Sequence, residues 1–142
     1  MSTEESKNVV LRFIEAARAE KLASVDTMGE FLARDSVHHF GTGQQFSREE
    51  YTNMFARYYE AFSDLEYVPQ EVIAEGDTVA VRFLARGTHL HPIFGCGPTG
   101  KVITYTSTYF YRVANGRIQE DWENMDVMGF QAQLDQAAHA KD

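Results

Sequence analysis

The carboxyl of Asp126 is the group in this sequence best placed to move protons. It ends the stretch Ile-Gln-Glu-Asp-Trp-Glu-Asn-Met-Asp, which is predicted to be a strand up to its last residues. If no bulge intervenes, strand alternation puts Trp122, Asn124 and Asp126 on one face, and Trp122, the only tryptophan, is expected to point inward. Apolar surroundings would raise the pKa of Asp126 towards values useful for general acid or base catalysis. The alternative is that Asp126 simply caps the helix that follows, because Asp is a preferred N-cap residue.

The histidines are the second set of residues that could do chemistry. His38 and His39 lie in an extended stretch, so one is expected to reach the interior and the other solvent. His89 and His91 follow a strand, and one face could hold both. A histidine pair binds a metal ion only with further ligands, and the sequence offers no clear third one. The sequence therefore predicts no functional metal, and surface or hydrogen-bonded histidines are the alternative.

Tyrosines on one strand supply the third set. Tyr105, Ser107, Tyr109 and Tyr111 share one parity, so this face could line a pocket and donate hydrogen bonds to a carbonyl. Cross-strand aromatic packing is the alternative. Other kinds of chemistry lack their motifs, since there is no Gly-rich phosphate loop and no Gly-x-Ser-x-Gly elbow. Cys96 stands in a loop with no adjacent base, which disfavours a thiol nucleophile.

Helices in the first half and strands in the second must position these side chains. Apolar spacing predicts helices starting near Ser2 or Thr3, over 25–33, and after the N-cap Ser47 to about 63–64. Strands are expected over 65–73, 78–89, 102–113 and 117–125, with Asn115-Gly116 as a hairpin turn and a closing helix over 127–138. This order predicts an α+β fold in which a curved sheet surrounds helices. Such a sheet leaves an open-mouthed cone, which suits an apolar ligand.

Composition disfavours two kinds of partner and bears on the compartment. The 142 residues suit one domain, residues 1–142, and the net charge is −8. With no basic stripe, binding to nucleic acid or to an anionic membrane surface is disfavoured. The single cysteine and the polar, acidic N-terminus, which does not resemble a signal peptide, favour the cytoplasm. No apolar run approaches the length of a membrane span.

Four stretches resemble one known family. Asp35-Ser36-Val37-His38-His39 is similar to its Asp-x-Val-x-His segment, and Ala61-Phe62-Ser63-Asp64-Leu65 to its Ala-Phe-Pro-Asp-Leu. Gly87-Thr88-His89, Phe94-Gly95 and Pro98-Thr99-Gly100 resemble Gly-Thr-His, Phe-x-Gly and Pro-Thr-Gly. Residues 116–134 resemble Gly-Lys/Arg-Ile-x-Glu-x-Trp-x-x-x-Asp-x-x-Gly with a Gln-Leu ending. The family is that of the SnoaL-like polyketide cyclases, in the nuclear-transport-factor-like superfamily.

This resemblance implies a cone-shaped α+β barrel, no cofactor and a homo-oligomer. It also implies that Asp126 stands where characterised cyclases have the acid/base of an intramolecular aldol closure. Two departures are His91, where the family often has Gly, and Ser63, where it usually has Pro. The sheet face opposite the helices, which contains the Thr- and Tyr-rich strand 102–113, is expected to form a homodimer.

The expected function is cofactor-independent cyclisation of a polyketide-like, apolar small molecule in secondary metabolism. Asp126 would remove a proton from an acidic carbon, and Tyr105, Tyr109, His39 or Asn124 would stabilise the resulting oxyanion. His39 is the second residue predicted to be catalytic. The residues predicted to bind substrate are Trp122, Asn124, Tyr105, Tyr109, Phe55, Tyr58, Phe83 and His89. The alternatives are an isomerase, a dehydratase or an epoxide hydrolase on the same scaffold, or a non-catalytic binding or assembly module.

Overall fold

The computed structural model describes residues 1–20 and 25–140 as four helices and six strands. The helices are α1 (Thr3–Glu20), α2 (Val25–Phe31), α3 (Arg48–Ala61) and α4 (Val127–Ala140). The strands are β1 (Leu32–Phe40), β2 (Gln44–Ser47), β3 (Glu66–Glu75), β4 (Thr78–Thr88), β5 (Val102–Ala114) and β6 (Arg117–Met125). The predicted order of helices and strands is confirmed, except that no strand was expected at β2. The second helix also ends earlier than predicted, because Leu32 begins β1.

The strands form one mixed, open sheet in the order β2-β1-β6-β5-β4-β3. Only β1 and β6 pair in parallel, and the other neighbours are antiparallel. The helices pack against one face of this sheet, and the predicted α+β cone is confirmed. The core lies between α1, α3, α4 and the inward side chains of β4, β5 and β6.

Local sequence explains where α3 begins and how the β5–β6 hairpin turns. The Ser47 hydroxyl accepts a hydrogen bond from the backbone N–H of Glu50 at 3.2 Å, and the Glu50 carboxylate accepts one from the N–H of Ser47 at 3.0 Å. This reciprocal capping box fixes the start of α3. Asn115 and Gly116 have φ angles of 52° and 75°, the left-handed conformation that an Asn-Gly hairpin turn requires.

A β-bulge in β6 decides which of its side chains enter the cone. Val113 of β5 pairs with Ile118, but the next residue back, Arg112, pairs with Glu120, so Gln119 is an extra residue in β6. The alternation changes phase at this point. Asp121 and Glu123 are 0% and 5% exposed, whereas Trp122 is 37% exposed. The expectation that Trp122 points inward is therefore wrong, because it assumed an unbroken strand.

Candidate active site

A carboxyl lies buried inside the cone at Glu123. Its neighbour across the strand pair is Tyr109, and the Ser107 hydroxyl donates a hydrogen bond to Glu123 Oε2 at 2.8 Å. Among the described residues, no Lys, Arg or His side chain lies within 4.0 Å of this carboxyl. Burial without a cation disfavours the charged form and raises the pKa of Glu123 to about 7. A carboxyl of this kind can both accept and donate a proton near neutral pH.

A second buried carboxyl, that of Asp121, has a different partner. His38 Nδ1 lies 3.0 Å from Asp121 Oδ2, and His38 Nε2 lies 2.8 Å from the Ser36 hydroxyl. The ring of Tyr51 stacks on that of His38 with centroids 4.0 Å apart. Burial raises the pKa of Asp121, and the hydrogen bond and charge of His38 oppose this effect. The cone therefore encloses two carboxyls with unlike surroundings.

Buried tyrosines surround both carboxyls. Burial raises the pKa of each of them well above its usual range, so these phenols stay protonated; they are Tyr51, Tyr67, Tyr105, Tyr109 and Tyr111. The hydroxyls of Tyr67 and Tyr105 lie 2.6 Å apart, so these two satisfy one another. The buried Tyr109 hydroxyl lies outside strict hydrogen-bond geometry, but it still acts as a donor towards Glu123 and so opposes the rise in the pKa of that carboxyl. The predicted inward orientation of Tyr105 and Tyr109 is confirmed.

A cleft of about 820 Å³ opens at the mouth of the cone. Its aromatic and aliphatic walls include Phe40, Phe46, Met54, Tyr58, Ile93, Phe94, Met125 and Phe130, and its polar lining includes Gln44, Arg57, Glu60, His91 and Gln131. Met125 lines the cleft, and Glu123 precedes it by two residues on the same inward side of β6. Glu123 is therefore the next inward residue behind the part of the cleft wall that Met125 forms.

Tyr58 lines the cleft and is close enough to Glu123 to be affected by its charge. Among the described residues, its hydroxyl donates only to the weak acceptor Met125 Sδ, at 3.8 Å. Burial, followed by the negative charge of Glu123, raises the pKa of Tyr58. The phenol is therefore a proton donor that lines the cleft within electrostatic range of the buried carboxyl.

A model of the SnoaL-like polyketide cyclase family matches residues 8–134, which is most of the chain. The chain belongs to the SnoaL-like polyketide cyclase family. No curated protein matches it.

Solved structures of the SnoaL-like type share this fold. IdmH from Streptomyces antibioticus, provisionally assigned as a polyketide cyclase, is 29% identical, with 92% of this chain and 98% of that chain covered and a TM-score of 0.78. AclR from Streptomyces galilaeus, provisionally assigned as a hydroxylase, is 23% identical, with 95% and 98% covered and a TM-score of 0.83. A SnoaL-like protein from Jannaschia sp. CCS1 is 23% identical, with 93% and 92% covered and a TM-score of 0.81. The structures of AclR and of the Jannaschia protein, both 23% identical to this chain, are evidence for a shared fold only.

Asp126 of this SnoaL-like chain lies outside the cone. It is exposed, and its Oδ1 accepts a hydrogen bond at 3.0 Å from the backbone N–H of Gly129, in the first turn of α4. The expectation that Asp126 shares the apolar surroundings of inward strand residues is wrong, because the bulge reverses the phase and β6 ends at Met125. The geometry is that of the alternative interpretation, an N-cap.

Three more residues of the predicted site lie on the outer face of the sheet. His39 stacks on Trp122 with ring centroids 5.2 Å apart, and its Nε2 lies 2.7 Å from Glu120 Oε2. Asn124 is exposed on the same side of β6 as Trp122. The expectation that the two adjacent histidines diverge is confirmed, but the inward one is His38 and not His39, which was predicted to be catalytic.

The remaining predicted residues lie inside the protein. Tyr58 lines the cleft, whereas Phe55 and Phe83 pack on Tyr67 beside a narrow apolar cavity of about 30 Å³. His89 is buried, and its Nδ1 lies 3.1 Å from the Thr99 hydroxyl. These roles in substrate binding stay predictions.

Sequence reasoning missed Glu123 and Asp121, the two inward carboxyls of β6. The signal available for them was that Asp121 and Glu123 occupy the opposite parity to Trp122, so a phase change would turn both inward. Among residues 1–20 and 25–140, no group of three or more His, Cys, Asp or Glu side chains could hold a metal ion. No helix in this described part is long and apolar enough to cross a membrane.

Proposed function

We propose that this protein is a cofactor-independent enzyme in which Glu123 takes a proton from an acidic carbon of a small, apolar carbonyl compound. The observation that carries the proposal is the buried carboxyl of Glu123, hydrogen-bonded by Ser107 and set one step behind an aromatic cleft. Its pKa of about 7 suits proton transfer near neutral pH. The position of Asp126 supports an N-cap, so the proposed acid/base moves from Asp126 to Glu123.

The proposed reaction is an intramolecular aldol closure. The Glu123 carboxylate removes a proton from the carbon beside a carbonyl, which leaves an enolate and a neutral carboxyl. The Tyr58 hydroxyl, whose one acceptor among the described residues is the Met125 sulfur, donates to the enolate oxygen. The enolate carbon then attacks a second carbonyl of the same molecule and forms the ring bond. The new alkoxide takes the proton back from Glu123, which restores the carboxylate.

The lining of the cleft supports a polyketide-like substrate. Four phenylalanines, Phe40, Phe46, Phe94 and Phe130, offer apolar surface to a flat or aromatic molecule. A volume of about 820 Å³ falls within the range of small-molecule sites. Holding such a molecule folded in the cleft would lower the entropic barrier to ring closure.

Two groups of alternatives remain. An isomerase or a dehydratase would begin with the same proton abstraction by Glu123, an epoxide hydrolase would use the carboxyl to activate water, and the structure of the product distinguishes these reactions from cyclisation. A non-catalytic module is favoured by the exposed, capping Asp126. Against it stands the buried Glu123, since a binding module gains nothing from a proton-exchanging carboxyl behind its cleft.

The test measures the first chemical step with defined probes. Aryl β-keto esters are incubated in D₂O with the protein, and NMR follows the exchange of the acidic C–H above the rate in buffer. Glu123→Gln is expected to bind these probes with unchanged affinity and to lose exchange by roughly 10²–10⁴-fold, the usual worth of general acid/base catalysis. Asp126→Asn, the matched control, is expected to keep the wild-type rate. A fully active Glu123→Gln protein would refute the proposal.

A further inference from the structure

Two carboxyls on one face of β6 have unequal partners. Asp121 and Glu123 are separated by one residue, both point into the cone, and both are buried. Asp121 Oδ2 faces a histidine nitrogen at 3.0 Å, whereas Glu123 Oε2 faces a serine hydroxyl at 2.8 Å. A ring N–H of histidine and the positive charge that the ring can carry stabilise a carboxylate better than a neutral hydroxyl does. The geometry therefore favours the charged form at Asp121 over that at Glu123.

The hydrogen bonds of His38 reinforce this asymmetry. With Nε2 held at 2.8 Å from the Ser36 hydroxyl, Nδ1 is free to carry the hydrogen that points at Asp121. This holds for a neutral ring, with the serine donating to Nε2, and for a protonated ring, with Nε2 donating to the serine. The other oxygen, Asp121 Oδ1, is buried and makes no hydrogen bond to any described residue. His38 is thus the principal partner of the Asp121 charge, and the Tyr51 hydroxyl adds a weaker stabilising interaction that also lowers the pKa of Asp121.

Within the described part of the chain, no Lys, Arg or His side chain forms an ion pair with Glu123 that would offset that charge. The titratable groups that act on the two carboxyls are Tyr51 and Tyr58 of α3, Tyr67 of β3, Tyr105, Tyr109 and Tyr111 of β5, and His38 and His39 of β1. The tyrosines are neutral, because burial raises their pKa values. Ionising two buried carboxyls close together is energetically costly, because their negative charges repel. Glu123, which has no histidine partner, therefore loses its proton at higher pH than Asp121.

We propose that Asp121 and His38 are positioning residues that keep a proton on Glu123 and so set its strength as a base. The inference rests on the proposed function of Glu123, which remains the catalytic residue. The negative charge of the ionised Asp121 raises the proton affinity of the Glu123 carboxylate. Removal of a proton from carbon requires such a strong base. In the resting protein, Asp121 therefore carries the negative charge and Glu123 carries the proton.

The experiment follows individual carboxyl carbons by NMR in the ¹³C-labelled protein, and it needs no substrate. In the wild-type protein, Asp121 is expected to titrate at lower pH than Glu123. In Asp121→Asn, whose amide oxygen can still accept from His38, the midpoint of Glu123 is expected to fall by roughly one pH unit, or about tenfold in proton affinity. His38→Gln keeps a polar atom near Ser36 but removes the donor to Asp121, which then takes up a proton. The midpoint of Glu123 should fall here too.

Glu120→Gln on the outer face of the same strand is the control, and it should leave the midpoint of Glu123 unchanged. An Asp121 that titrates above Glu123 in the wild-type protein overturns the inference, as does an unshifted or raised Glu123 midpoint in a folded Asp121→Asn or His38→Gln protein. The wild-type titration decides even if both variants fail to fold. In deuterium exchange, the acidic limb of the pH–rate profile should move with the midpoint. An active Glu123→Gln protein would end the proposed function alone, since the midpoints are measured independently of activity.

Discussion

The indole ring of Trp122 lies parallel to the imidazole of His39 on the outer face of the sheet, with an angle of 5° between their planes. Trp122 also pairs across the strands with Phe110, which pairs with Ala80, which in turn pairs with Ile73. These five residues form a row that runs across β3, β4, β5, β6 and β1, and we name it the outer row. Phe110 and Ile73 are 46% and 61% exposed. Four of the five side chains are apolar, and His39 ends the row; an exposed run of neighbouring apolar side chains is typical of an interaction surface.

The outer row is expected to form a homodimer between two copies of the chain. Phe110→Glu places a charge in the middle of the row and should convert the dimer to a monomer, because an unpaired carboxylate would be buried in the interface. Light scattering coupled to size exclusion measures the change. Leu11→Glu, at an exposed position of α1, is the control and should stay dimeric. A wild-type protein that is monomeric at all concentrations would contradict the prediction.

Tyr58→Phe tests the proposed oxyanion donor. Removing the hydroxyl should lower the rate of deuterium exchange by roughly 10²-fold with little change in probe affinity, since the hydrogen bond forms only to the enolate. Tyr59→Phe is the matched control, because Tyr59 is the next residue and lines the narrow cavity instead of the cleft. Equal rates for Tyr58→Phe and Tyr59→Phe would remove Tyr58 from the mechanism.

Asp126→Ala tests the N-cap. The loss of the 3.0 Å hydrogen bond to Gly129 should destabilise the protein by about 1 kcal/mol, while Asp126→Asn, which caps almost equally well, should be neutral. Chemical denaturation measures both. The exchange rate at saturating probe should be unchanged in the two variants. A loss of exchange in Asp126→Asn with an intact fold would instead restore Asp126 as the acid/base.

Local patterns in the sequence predicted most of the fold. The apolar spacing of α1, the capping residue Ser47 and the Asn115-Gly116 turn each act over a few residues, so their outcomes can be derived from neighbours along the chain. The strand β2 was not predicted, because its four residues lie beside β1 without a strong apolar alternation. The alternation on β5 was predicted correctly, since that strand is regular where Tyr105 and Tyr109 point inward.

The candidate site was harder to predict because it depends on one extra residue. The extra residue is Gln119, at which the register of β6 shifts relative to both β5 and β1. Its side-chain amide donates a hydrogen bond to Asp35 Oδ1 at 3.0 Å. Asp35 is far away in sequence, so no local pattern specifies the bulge. A shift of one residue exchanges the two faces of a strand. This single shift turned Trp122 outward and brought Asp121 and Glu123 inside.

The pH dependence of stability offers a test of Glu123 without any ligand. Burial raises its pKa from 4.5 to about 7 in the folded protein, so the folded chain binds this proton more tightly than the unfolded chain does. The stabilising contribution of the protonated carboxyl is full below pH 4.5 and is lost as the pH rises through 7. The free energy of unfolding should therefore decrease by roughly 3 kcal/mol over this interval, relative to Glu123→Gln, which cannot titrate.

Urea denaturation at a series of pH values measures this difference, and Glu120→Gln supplies a control of opposite sign. The hydrogen bond from His39, followed by that from Arg112, lowers the pKa of Glu120, so its contribution appears above pH 4.5 and is lost as the pH falls. The difference between wild type and Glu120→Gln should thus grow with pH, while that between wild type and Glu123→Gln changes in the other direction. Parallel stability curves for wild type and Glu123→Gln would mean that Glu123 titrates as an exposed carboxyl. That result would contradict both its burial and its proposed role as the base.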